Sequence, residues 1–68
     1  MKISARNQLK GTIANVTEGA VNGVVAILLG DATIKANITN EAIEQLGLAE
    51  GGKALAIIKS TDVIVGVE

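Results

Sequence analysis

Apolar positions alternate with polar ones along most of this chain, the signature of half-buried β-strands rather than helices. The alternation is cleanest from Ala32 to Ile38, with Ile34, Ala36 and Ile38 on one face and Thr33, Lys35 and Asn37 on the other. Just ahead of it, Gly30-Asp31 is a two-residue hairpin signal with glycine first. The pattern predicts earlier strands at about Ser4–Val16 and Val21–Leu29, with Gly11 marking a bend or bulge in the first. Thr17-Glu18-Gly19-Ala20 reads as the turn between them, and Asn22-Gly23 is an alternative turn in the same stretch. Beyond the middle, Gly51-Gly52 makes a turn, and two closing strands are predicted at Lys53–Lys59 and Asp62–Val67.

Only Asn40–Leu46 has helical character. Thr39 or Asn40 can cap its start, and Glu41 and Glu44 suit the positive end of the helix dipole. Gly47 fits the left-handed position after the last turn, where Leu48 can touch Ile43 as in a Schellman ending. Five strands with one short helix at about 40–46, before the fourth, describe a mainly all-β fold. The pattern predicts a small antiparallel barrel or sandwich of the OB type, forming one domain over residues 1–68.

Two predicted strands break the alternation. Val24–Leu29 and Leu55–Ile58 are apolar at consecutive positions, the pattern of strands covered on both faces. Composition sharpens the point, because 49% of the residues are apolar and none is aromatic. A 68-residue domain buries only about 60% of its unfolded surface, so its own core leaves it marginal. With no cysteine for disulfides and no histidine for a zinc site, association with other copies is the remaining source of stability.

Charge and composition exclude several function classes. The net charge of −1 and the missing aromatics argue against nucleic-acid binding on an OB-type sheet, which relies on stacking platforms in a basic groove. No apolar run is long enough to span a bilayer, and no secretory signal follows Met1-Lys2, so a cytoplasmic protein is expected. Without His or Cys, a nucleophilic serine would need a lysine base, and neither Ser4 nor Ser60 lies in a recognisable motif. The chain is therefore read as a non-enzyme, with no metal held directly by side chains and no organic cofactor. The chemistry that remains is concentrated in Ser4-Ala5-Arg6-Asn7 and Lys59-Ser60-Thr61. Each segment joins a cation to hydroxyl groups and small neighbours, a donor set suited to a small oxyanion.

Residues 1–11 (MKISARNQLKG), 38–51 (the ITxEAIxxLGLxxG pattern) and 56–65 (AIIKSTDVIV) resemble the molbindin (Mop) family of small molybdate- and tungstate-binding proteins. The match runs through essentially the whole chain in order. The resemblance implies an OB-like five-stranded fold and a homohexamer built as a trimer of dimers, with oxyanions held where subunits meet. Carried over by motif, the ligating residues are Ser4, Ala5 through its backbone N–H, and Arg6, completed by Lys59, Ser60 and Thr39, some of them from a neighbouring subunit. Asn7 and Ala42 are secondary candidates. Ala42 stands where family members often have Ser, and its backbone N–H is what it can offer. The expected function is reversible binding of molybdate, with tungstate, for intracellular molybdenum storage and homeostasis. The alternative is an oxyanion-sensing regulatory or assembly module that acts through a protein partner.

Overall fold

The computed structural model describes residues 1–68. Four strands and one helix follow in the order β1 (Asn7–Glu18), β2 (Asn22–Leu29), β3 (Ala32–Thr39), α1 (Asn40–Leu46) and β4 (Lys53–Ile58). All pairings are antiparallel, and the strand order in the sheet is β3-β2-β1-β4. The long β1 serves both halves: its first six residues pair with β4, and from Thr12 onward it pairs with β2. This leaves β3 and β4 as the two free edges of a curled sheet.

Turn chemistry determines the connections. Gly30 carries φ +62° between β2 and β3, the conformation its missing Cβ makes accessible. The β1–β2 turn closes through the Gly19 N–H, which donates to Asn22 O at 3.0 Å, so Asn22-Gly23 belongs to β2 and is not the turn. The irregularity expected at Gly11 lies instead between Ile13 and Asn15, where β1 slips register against β2. Gly11 serves a different need. A Cβ there would sit 2.7 Å from Leu28 O and 2.6 Å from Ile27 Cγ2, so glycine permits a close approach of β1 to β2.

The helix occupies the predicted residues and ends as predicted. Gly47 is left-handed at φ 64°, its N–H donates to Glu44 O, and the Leu48 N–H donates to Ile43 O at 3.0 Å. At the other end, the Ala42 N–H donates to Thr39 Oγ1 at 3.1 Å. Asn40 pins the helix start to the β1–β2 turn, donating from Nδ2 to Gly19 O at 2.8 Å while its Oδ1 accepts the Gly19 N–H. Replacing Thr39 with Ala is expected to cost about 1 kcal/mol of stability through the lost cap, measurable as a shift in the denaturation midpoint.

Ile13, Val25, Ile27, Ile43 and Ala56 form the core on the concave side of the sheet. Only seven of 68 residues are buried, which leaves a single chain with little apolar stabilisation of its own. The strands expected to be covered on both faces are covered on one. Along β2, Val25 and Ile27 are buried while Val24 and Leu28 are about 40% exposed, and Leu55 and Ile57 of β4 face outward likewise. The predicted fifth strand is a second departure. Ser60–Asp62 form a 3-10 turn, and the residues after it pair with no strand, so one chain contributes four strands rather than five. A strand exists only where another edge accepts its hydrogen bonds, and the turn carries this segment off the sheet.

Candidate anion-binding site

Pairing of β1 with β4 ends at Asn7 opposite Ile58. Arg6 and Lys59 are the next residues on either side, so the sheet delivers the two cations to one corner although 52 intervening residues separate them in sequence. The corner is tied by Asn7, whose Nδ2 donates to Ile58 O at 3.2 Å. Gln8 braces the approach from the other side, its Nε2 donating to Ala5 O at 3.2 Å. Ala5 is buried, whereas Ser4, Arg6, Lys59 and Ser60 are exposed. A buried small residue anchors the segment while the donors around it stay accessible.

The second segment has its own geometry. Lys59 is extended, and the chain then tightens into the 3-10 turn, with the Asp62 N–H on Lys59 O at 2.9 Å and the Val63 N–H on Ser60 O at 3.3 Å. The first N–H groups of such a turn have no partner inside it, which adds backbone donors beside the Ser60 hydroxyl. None of the side-chain hydrogen bonds engages Arg6, Lys59, Ser4 or Ser60. One guanidinium, one ammonium, two hydroxyls and nearby amide donors are therefore carried by the two segments that meet at this corner, and no hydrogen bond engages the four side chains. That arrangement suits a doubly charged tetrahedral anion, which offers acceptors on every side.

Thr39 and Ala42 lie elsewhere. Thr39 pairs with Asn22, and the next residue of β2, Gly23, faces Glu18 at the far end of β1. Asn7 and Glu18 stand at opposite ends of the 12-residue β1, and no hydrogen bond joins the two groups within one chain. The Ala42 N–H is engaged by the Thr39 hydroxyl, which leaves the hydroxyl proton as the donor this segment offers. Glu18, near this end, has its carboxyl pKa raised from its ordinary value by desolvation and by the like charge of Glu44. This end of the sheet is accordingly the acidic one.

Spacing alone did not reveal the parts played by Asn7 and Gln8 in the site. Asn7 stood in the motif as a secondary ligand; its Nδ2 donates one N–H to Ile58 O and so also ties the corner together. Gln8 gave no signal, because its partner is reached only through the bend of residues 5–8.

The fold is a small OB-like module, a curled four-stranded sheet with one helix, and comparison with known proteins shows its family. The model of the TOBE domain matches residues 3–65. The chain is 46% identical over its full length, and over the full length of the relative, to a probable molybdenum-pterin-binding protein of Haemophilus influenzae. A molybdate-binding protein from Sporomusa ovata superposes with a TM-score of 0.93 at 31% identity, covering 98% of this chain and 100% of that one. The cytoplasmic molybdate-binding protein ModG, solved with molybdate bound, superposes equally well at 42% identity, all of this chain matching 49% of that one. The chain belongs to the TOBE-domain family, among the molybdenum-pterin-binding (Mop) proteins. No helix is long and apolar enough to cross a membrane.

Proposed function

We propose that this chain binds molybdate, and tungstate as an anion of the same shape and charge, where subunits of a homohexamer meet, and that it stores the metal within the cell. The observation that carries the reading is the delivery of Arg6 and Lys59 to one corner by the Asn7–Ile58 pair, with Ser4 and Ser60 beside them. Two positive charges match a dianion, and the neutral donors fill the remaining oxygen lone pairs. Thr39, at the other end of the sheet from this corner within one chain, serves a neighbour's site across the interface. The outward apolar residues of β2 and β4 supply surface for that interface. The hexamer is a trimer of dimers, and each copy of the interface repeats the site. The role is binding without catalysis.

Calorimetric titration of the purified protein with molybdate, tungstate and sulfate tests this. Saturable heat with several ions per assembly for the two metal oxyanions, and weaker binding of sulfate, is expected. A flat molybdate titration would overturn the proposal. Ligand-dependent capture of another protein would instead favour a regulatory module.

A further inference from the structure

Asn22-Gly23 opens β2 rather than forming a turn, and the pair carries a chemistry that the anion site does not use. A glycine after asparagine leaves the following backbone nitrogen unshielded, so that nitrogen can attack the asparagine side-chain carbonyl carbon. The other asparagines, Asn7, Asn15, Asn37 and Asn40, precede Gln, Val, Ile and Glu, whose side chains hinder the same attack. Asn22 is exposed to water, whereas Gly23 is buried. The fold holds the reacting atoms apart. The Asn40 N–H donates to Val21 O at 2.8 Å, and hydrogen-bonded pairs alternate along an antiparallel ladder. Gly23 and Ile38 are therefore the next hydrogen-bonded pair, which commits the Gly23 N–H to Ile38 O. Strand side chains stand out from the sheet while backbone N–H groups lie in its plane, so the Asn22 amide points away from that nitrogen. The amide is also held, its Nδ2 donating to Asn37 Oδ1 at 3.0 Å. Release requires β3 and the start of α1 to leave β2, and the two Asn40–Gly19 hydrogen bonds pin that end shut.

We infer that Asn22 is a deamidation site masked by the fold, opened when β3 and α1 part from β2, and that its conversion to isoaspartate removes a chain from the folded population for good. The Gly23 nitrogen bonds to Asn22 Cγ, the Cγ–Nδ2 bond breaks, and ammonia leaves carrying the proton of the attacking nitrogen. The product is a five-membered succinimide. One water then opens the ring at either carbonyl, giving aspartate or isoaspartate, and nothing is oxidised or reduced. In isoaspartate the main chain runs through Cβ and Cγ and is one methylene longer, which breaks the register of β2 against both of its neighbours. Gly23 has no space for such a change, since even a Cβ there would sit 2.7 Å from Thr17 O and from Ile43 Cδ1. Aspartate keeps the register but puts a carboxylate opposite Asn37 Oδ1, at the end of the sheet that already holds Glu18 and Glu44.

Mass spectrometry of the tryptic Gly11–Lys35 peptide, with fragmentation that separates aspartate from isoaspartate, tests this, and Asn15 in the same peptide is the internal reference. The full chain is held in mildly alkaline buffer with and without guanidinium chloride. Conversion of Asn22 is expected to be more than about tenfold slower in the folded protein than in the denatured chain, because only the open population reacts. Equal rates in the two states, or conversion of Asn15 as fast as Asn22 in the denatured chain, would overturn the masked site. Asn40→Ala, which cuts the pin to Gly19, should speed conversion several-fold in native buffer, with circular dichroism confirming that the variant is folded. Asn37→Ala, which frees only the Asn22 amide, replaces it if Asn40→Ala does not fold. A folded variant that reacts no faster than the parent would show that these contacts do not guard the site. The aged, denatured chain is finally refolded and fractionated by size. Isoaspartate is expected in the unfolded and aggregated material only, and an equal share in the folded fraction would contradict the one-way loss.

Discussion

Arg6→Ala and Lys59→Ala should each reduce molybdate affinity by about 30-fold to several thousandfold while leaving the fold intact. Losing one charged partner from a desolvated pairing typically costs ~2–5 kcal/mol, much of it because the remaining charge is left unmatched. Here the remaining charge is the dianion, held by a single cation and neutral donors. Both side chains are exposed in the single chain and take part in no side-chain hydrogen bond, so their removal leaves the core undisturbed. Lys35→Ala, on the exposed outer side of β3, is the control and should leave affinity within twofold. Calorimetric titration, with circular dichroism to confirm folding, reads the outcome. The two cations also repel each other when no anion lies between them, so the empty oligomer of either variant should be at least as stable as the parent.

The largest effect on stability is expected at Gly23. A Cβ there would lie 2.7 Å from Thr17 O in β1 and 2.7 Å from Ile43 Cδ1 of the helix. The first neighbour is backbone in a paired strand, and the second belongs to a core residue only 2% exposed. Neither can withdraw cheaply. Gly23→Val should therefore cost about 3 kcal/mol, the upper part of the usual overpacking range. For a domain of this size that lowers the melting midpoint by more than about 10 °C at fixed protein concentration. A calorimetric scan that finds less than a few degrees would show that the helix does not dock on β2 as described. Gly30→Ala is the instructive contrast: a Cβ there meets nothing within 4 Å, so its cost comes only from the positive φ.

These two sites also mark what the sequence could and could not convey. The helix was legible to the residue, because a threonine cap, seven helical positions and a following Gly47-Leu48 are local signals with local causes. The β2–β3 hairpin was legible for the same reason, through Gly30-Asp31. Gly11 and Gly23 were not, since their role is to let another strand or the helix approach. That need arises only once the chain is folded. The bulge after Ile13 carries no glycine to announce it. Asp62–Val67 has strand composition but finds no edge within its own chain, so a propensity that was read correctly gave a strand the single chain does not form. Arg6 and Lys59 stood out as cations beside hydroxyl residues and were strengthened by the resemblance, while their adjacency follows from the β1–β4 register, which no local pattern specifies. The distance of Thr39 from them was equally invisible, because it depends on which end of β1 each element joins.

The most direct test of the central claim is an anomalous difference map from crystals of the protein grown with molybdate, recorded at the molybdenum edge. A peak is predicted at the corner where β1 and β4 end, with the anion's oxygens about 2.7–3.1 Å from the Arg6 guanidinium and the Lys59 ammonium. A neighbouring subunit should supply Thr39 within the same shell. Molybdenum found only away from Arg6 and Lys59, or absent from crystals soaked to saturation, would contradict the account.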